Sequence, residues 1–522
     1  YYRRGLAYAA REQWGKAIVD HSRVIELEPE HLEATYQRAT AYAERGEIKR
    51  AIAGLSRVLE LDPKHVGAYF NRGLAYADQE EAEKAITDFS QAIELEPHHA
   101  FAYYHRGVAH YYQRHLEQAI ADFSRTIELE PDWSNAFYNR GLAYQQEEDL
   151  EQAIVDYSRA IELEPDGANA YYNRGLAYAE RDEEEQAIAD FGQAIRLNPK
   201  QANAYYQRGF IHYNQGRAKR AIADYDRAIE LDPEHAIAHY NRGLAFYHQD
   251  KVEQAIADYR RAIELDPEYT LAYYHRGVAY FRQGQIEEAR ADFGRTIELE
   301  PEHVNARYNR GLVFQQQGKL EQAIADFGWV LELKAEDAAA YYHRGVAYAE
   351  QGQSEQAIAD LSRAIELDPE HAAVYHHRGL AYRELDELEQ AIVDLSRAIE
   401  LDPEDATAYH NRGSSYFLRG QLEPAVADFD RAIELDPQHA KAYFNRGLAY
   451  QQKDQVQQAI ADLGQAIELD PQHTAACYHR GLAYAEQGEL GPAIADYSRV
   501  LELDPQHIEA YFQRGTAYQQ QG

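Results

Sequence analysis

The sequence predicts an all-α solenoid built from antiparallel helix pairs, and three observations carry that expectation. First, a 34-residue unit recurs along the 522-residue chain without insertion or deletion. Prolines mark its beat at Pro29, Pro63, Pro97, Pro131, Pro165, Pro199, Pro233, Pro267 and Pro301, then from Pro369 to Pro505, and only Ala335 is out of step. An unbroken period of this length marks a stacked array in which each unit touches its neighbours. Second, the unit holds two helical stripes. In residues 168–201, Tyr171, Arg174, Gly175 and Tyr178 fall at i, i+3, i+4 and i+7, and Ala187, Asp190, Phe191 and Ala194 do the same on a second segment. Third, large faces small across the pair. Gly175 and Ala187 let two backbones approach, although glycine inside a helix costs about 1 kcal/mol relative to alanine.

Each element of the unit has a local cause. Residues 169–181 form the first helix and 185–197 the second. Asp182 and its neighbours make the turn, where other units place Gly216, Gly284 or Gly352, the residue type usual just past a helix end. Asn198-Pro199 stops the second helix, because a residue before proline is pushed out of the helical region.

The spacing aromatic–three residues–glycine–two residues–tyrosine, followed by Ala187, Phe191, Ala194 and Pro199, resembles the tetratricopeptide repeat family over the whole chain. The resemblance implies a right-handed superhelical solenoid that binds other proteins. One departure recurs. Where the family usually has an apolar residue, this chain has arginine in every unit, from Arg4 to Arg514.

Read as a single domain, the units run 1–31, 32–65, 66–99, 100–133, 134–167, 168–201, 202–235, 236–269, 270–303, 304–337, 338–371, 372–405, 406–439, 440–473 and 474–507, with a half unit at 508–522. Unit 2 is irregular: Ala39 replaces the glycine and Gly54 the aspartate. Unit 6 puts Glu184 where its neighbours have Leu150 or Val252, which predicts a less well anchored second helix. Unit 9 has Arg290 where isoleucine is the rule. Unit 10 deviates most, with Trp329 on the usually polar outer face and Lys334-Ala335 in place of Asp-Pro; a hinge or boundary, if the array has one, falls at residues 329–337. Pro424 and Pro492 sit at the start of second helices, where the missing N–H has no partner to lose. The chain begins inside a helix at Tyr1 and stops half a unit later than the last full repeat, as an excerpt of a longer protein would. The lone last helix lacks the cover of a terminal cap and leaves end-to-end self-association open as a structural alternative.

Lys plus Arg number 53 and Asp plus Glu 88, a net charge of −35, and 16 of the arginines lie on the inner stripe. So acidic a surface argues against nucleic acid or anionic membrane as partner. No apolar run approaches the ~20 residues of a membrane span. Cys477, the single cysteine, takes the slot of Tyr171 and reads as a buried apolar side chain; the lack of a disulfide framework favours a reducing, cytoplasmic setting. No phosphate loop, dinucleotide fingerprint, nucleophile elbow or zinc-finger spacing is present, so neither a catalytic constellation nor a cofactor is expected.

The informative face is the other side of the first helix, which the family resemblance makes the lining of the concave groove. The slot of Asn173 holds Asn71, His105, Asn139, Gln207, Asn241, His275, Asn309, His343, His377, Asn411, Asn445 and His479 in other units, always with a donor and never acidic. The slot before it is aromatic or histidine, as in Tyr104, Tyr138 and Tyr172. An amide donates and accepts at once, which suits an extended peptide backbone, and tyrosines add contact area at low entropy cost. The pattern resembles the asparagine ladder in the repeat domains of O-linked N-acetylglucosamine transferases, which hold extended peptides. It also allows Asn and His to tie neighbouring repeats together, and the two roles can coexist. The dicarboxylate clamp of chaperone-binding family members needs a basic groove, and here Lys441 is nearly alone. His343, His376, His377 and His410 cluster on the groove side; no carboxylate or thiolate is spaced to complete a metal site with them, which leaves a mildly pH-sensitive groove. The histidines after the Asp-Pro turn (His65, His235, His303, His371, His439, His473 and His507) are expected in exposed loop.

Arg174 and Asp190 hold corresponding places on the two helices, as do Arg140 and Asp156, and Arg208 and Asp224. A lone buried charge is costly, so these are expected to pair into a ladder along the array. The function that fits is a scaffold holding a partner peptide or helix in its groove. The alternatives are the substrate-recruiting arm of a larger enzyme, such as a glycosyltransferase, or an end-to-end assembly module.

Overall fold

A computed structural model describes residues 1–522 and contains 31 α-helices and no strand. Helices alternate in type. In each pair we call the first A and the second B; every B helix has 14 residues, and between the short first A helix (Tyr2–Ala9) and the last (Ile508–Gln521) the A helices have 12 or 13. The chain divides into two compact parts, Tyr1–Pro267 and Glu268–Gly522. Within each, consecutive helices pack as antiparallel pairs, and each B helix also packs against the A helix that follows it.

The A–B turn is closed by backbone alone. In the pair Ala168–Glu180 and Glu184–Leu197, the N–H of Glu183 donates to the Tyr178 carbonyl at 2.8 Å and that of Asp182 to Ala179 at 3.1 Å, a Schellman closure that requires a left-handed residue at Asp182. Asp182 has φ +60°. Seven of the fifteen turns place glycine there and eight do not, among them Glu80, Arg114 and Asp454.

The core lies between A and B helices. Gly175 faces the Phe191 ring so closely that a Cβ would lie 2.9 Å from the ring edge. Burying a phenylalanine is worth about 2–3 kcal/mol, more than the ~1 kcal/mol that a helical glycine costs, so the close approach wins. Between pairs, Ala194, Ile195 and Ala204 form a second cluster with Tyr171, Tyr172 and Tyr205. Cys477 is buried in such a cluster with Val500 and Ala510.

The irregular units are compensated locally. In unit 2 a Cβ on Gly54 would lie 2.7 Å from the Ala39 Cβ, so the methyl gained at the glycine position occupies the room released at the aspartate position. In unit 10, Arg307 stands where most other A helices carry an aromatic ring, and its guanidinium lies 4.0 Å from the Trp329 ring centre. The ring and the cation have exchanged helices. Arg290 pairs with Glu287 at 2.5 Å on the surface. At Glu184, where the neighbours have Leu150 or Val252, the helix Glu184–Leu197 keeps its full length and the carboxylate accepts from Gln215 Nε2 at 2.6 Å, a polar contact in place of an apolar one.

Candidate functional site

The inner stripe of the A helices carries fourteen arginines bonded two-point to the aspartate sixteen residues later, at 2.6–3.0 Å. Arg174 donates Nε and Nη2 to Asp190, and Arg140 does the same to Asp156. Arg174 also lies between the rings of Tyr171 and Tyr178. Its third donor, Nη1, reaches back to the preceding B helix and finds Ser158 Oγ at 3.0 Å. That backward partner varies. It is Asp226 for Arg242 and Asp430 for Arg446, while Arg208 meets only Gly192, which offers no acceptor. Arg38, opposite Gly54, keeps only Ser22 Oγ at 3.4 Å. Where a backward acceptor is present, the arginine therefore ties its own B helix to the previous one. Burial holds the Asp156 and Asp292 carboxyls above the usual carboxylate range, because desolvation outweighs the bonds from Arg140 and Arg276. At the exposed Arg4, the bond instead holds Asp20 below that range.

A second set of rungs joins each A helix to the A helix before it. Asn139 Nδ2 donates to Tyr104 Oη at 2.7 Å, and Asn173 to Tyr138 at 2.8 Å. Asn71, Asn241 and Asn309 bond Tyr36, Tyr206 and Tyr274 in the same way. Asn411 and Asn445 bond Nε2 of His376 and His410, each at 2.9 Å. Every asparagine of the slot thus spends a donor on the preceding A helix. Asn411 also has its carbonyl engaged, by Arg383 Nη1 at 3.1 Å. Gln207 stands beside Tyr172 in the same register. The histidines of the slot behave differently. His105 packs against Phe70 and Phe89, and His275 against Tyr274. His343 and His479 approach Gln315 and Gln451 at 3.2 Å, and His377 bonds the Ala373 carbonyl. Burial lowers His105, His376 and His479, and pushes His343 to about 4 and His410 to about 3.

Two sequence expectations are corrected here. A carboxylate does reach the histidine cluster, since Asp405 Oδ2 lies 3.2 Å from His376 Nδ1. No three His, Cys, Asp or Glu side chains come together as a metal-binding group. The histidines after the Asp-Pro turn are not loose loop residues. His65 Nδ1 accepts from the Ala68 N–H at 3.1 Å and its ring lies 4.7 Å from that of Tyr36. His235, His303, His439, His473 and His507 repeat both contacts. His371 keeps the ring contact, with Tyr342, but not the cap. An acceptor three residues before a helical N–H is an N-cap, and the spacing from His65 to the buried Ala68 was the signal for it. Trp133 fills the same slot with a ring alone, 4.5 Å from Tyr104 and 4.8 Å from the exposed Phe101.

No helix is long and apolar enough to cross a membrane. Comparison with known families matches the model described as TPR repeat at residues 39–80, 146–182, 177–216, 213–250, 243–284, 277–318, 314–352, 379–418, 413–454 and 481–522. The model described as tetratricopeptide repeat matches 66–99, 100–132, 338–371 and 440–473. A search of curated proteins finds no match. Among solved structures, YrrB, described as a TPR protein with an unusual peptide-binding site, is 27% identical over 36% of this chain and 96% of its own, with a TM-score of 0.34. MamA is 28% identical over 32% and 96%, with a TM-score of 0.31. The APC/C hetero-tetramer Cut9–Hcn1 is 16% identical over 96% and 98%, with a TM-score of 0.39.

Proposed function

The chain belongs to the tetratricopeptide repeat family, and from that premise we propose that it is a non-catalytic scaffold whose A-helix face binds an extended segment of a partner protein. One observation carries the reading. On a chain of net charge −35, that face presents a stack of three rings, Phe101, Trp133 and Tyr104, with Phe101 54% exposed. Tyr112 of the same helix is 77% exposed. Exposed rings held rigid by their neighbours are the usual anchors of a protein interface. Beside them the carbonyls of Asn139 and Asn173 remain to accept from peptide N–H groups, because each rung is made by an amide N–H and not by the carbonyl.

The test is selection of displayed random peptides on the wild-type chain, followed by binding to a Phe101→Ser, Tyr112→Ser variant. Both side chains are exposed, so helicity is expected to be unchanged, while affinity falls about 30-fold, the effect of losing an interface anchor of about 2 kcal/mol. Enrichment of no peptide, or equal binding by the variant, refutes the reading.

A further inference from the structure

In most repeats the residue before the A helix covers the aromatic ring of the preceding A helix and, when it is histidine other than His371, caps the new helix as well. The same position between the A helices Ser134–Gln146 and Ala168–Glu180 is Gly167, which has neither ring nor acceptor. A pocket of about 300 Å³ opens there, with Tyr138 on one side and Gly167, Ala168 and Ala170 on the other. Two measures show that it is the uncovered ring slot. Ala170 is 7% exposed, whereas its counterparts Ala68, Ala102, Ala204 and Ala238 are 0% exposed. The Ala170 N–H has only the Gly167 carbonyl, at 3.1 Å, whereas the Ala68 N–H has both the His65 carbonyl and the His65 imidazole.

We propose that this slot binds a neutral imidazole, the side chain of a histidine in a bound partner segment. The chemistry is read from the chain itself. Where the slot is filled by His65, His99 or His235, the imidazole lies 4.7–4.9 Å from the ring beneath it and accepts the N–H three residues on. The slot below Tyr138 offers the same ring face and the same N–H. The glycine backbone, at φ −77° and ψ 85°, matches that of His99 at −80° and 83°, so the geometry that seats an imidazole is present without one attached. Glu164, which also lines the pocket, accepts from Ser134 Oγ at 2.8 Å. The inference rests on the A-helix face being the binding surface, and its probe is independent of any peptide.

The probe is 4-methylimidazole at about pH 9, where an imidazole is neutral, followed through the Ala170 amide resonance in a protein labelled at alanine nitrogens. Wild type is expected to show a saturable shift. Gly167→His, which supplies its own ring, is expected to weaken the response at least about tenfold, and Tyr138→Ala to do the same by removing the ring face. N-methylpyrrole, a ring without a free acceptor lone pair, is expected to bind more weakly than 4-methylimidazole. Should Gly167→His fail to fold, Tyr138→Ala and the pyrrole comparison decide. An Ala170 resonance that does not move, that moves equally in either variant, or that responds equally to N-methylpyrrole overturns the slot. That failure leaves the groove reading to its own peptide selection, whereas an empty peptide selection alongside a saturable Ala170 shift would refute the groove and, with it, the assignment of the slot to a partner's histidine.

Discussion

Unit 2 offers a direct measure of what the arginine–aspartate ladder contributes. Arg38 lacks the aspartate because Gly54 stands in its place, and Gly54 is required by the Ala39 methyl, which a Cβ at 54 would approach to 2.7 Å. Gly54→Asp alone forces that contact and is expected to destabilise by about 2 kcal/mol, as overpacking does. Ala39→Gly alone places a glycine in a helix and removes a buried methyl, about 2 kcal/mol together. In the double variant the clash is gone and the introduced carboxylate stands sixteen residues from Arg38, the separation at which Arg174 bonds Asp190 at 2.7 and 2.8 Å. Charge-assisted two-point bonds of this kind are among the stronger hydrogen bonds. The double variant is therefore expected to fall within about 1 kcal/mol of wild type, a coupling of about 3 kcal/mol. A long repeat array does not unfold in one step, so the assay is amide hydrogen exchange of peptides from residues 32–65. There the coupling appears as a protection difference of about 150-fold. Effects that add to within about 0.5 kcal/mol would refute the reasoning.

Three other outcomes are expected. Removing the aspartate should be worst where the arginine has no backward partner: Asp224→Ala, which leaves Arg208 beside Gly192, should cost about 3 kcal/mol, Asp190→Ala less because Ser158 remains, and Asp462→Ala least because Asp430 remains; hydrogen exchange of each pair gives the order, and equal losses would show that the backward contact is idle. Asp182→Gly, at φ +60°, should stabilise its turn by about 1 kcal/mol, read as slower exchange at Glu183 and at the substituted position. His410 accepts from Asn445, and burial pushes it to about 3, so the fold holds it neutral while the unfolded chain protonates it near pH 6.5. Its contribution is complete above that value and is lost as pH falls toward 3. His410→Tyr, which preserves an acceptor for Asn445, should flatten the dependence of local exchange between pH 6 and 4, and an unaltered slope would assign the dependence to other groups.

The fold was legible because its determinants are local and repeated. A proline after all but one of the B helices, a glycine opposite nearly every large residue and a left-handed turn residue all lie within one unit, so a single unit suffices to read them. The arginine and aspartate were readable as partners because both belong to that unit. What reached beyond the unit was less visible. The back bond from Arg174 to Ser158 depends on the register between pairs, which no spacing within a unit reveals. The exchange of ring and cation in unit 10 is another case: Trp329 looks anomalous until Arg307 is seen beside it. The caps at His65 and its counterparts carry a readable signal, the three-residue step to a buried alanine. Polar residues after Asp-Pro are also common in open turns, and spacing alone does not separate the two.

If the asparagine slot binds a partner segment as proposed, stability and recognition need not compete for the same side chain. A primary amide has two donors and a carbonyl acceptor, and the rung to the preceding tyrosine uses one donor. Fixing Asn139 and Asn173 through that donor orients their carbonyls before any partner arrives, which lowers the ordering cost of binding. The slot has two kinds of occupant for a related reason. Where His105 or His479 replaces asparagine, the ring is half-buried and its pKa is lowered by desolvation instead of the residue bonding a tyrosine below, so those positions offer ring surface while the amide positions offer an aligned acceptor. A partner segment crossing units 3 to 6 would meet Asn71, His105, Asn139 and Asn173 in turn, amide and imidazole in an order set by the sequence. On the proposed groove reading, the composition of that slot, more than its regularity, would set the specificity of an otherwise repetitive surface.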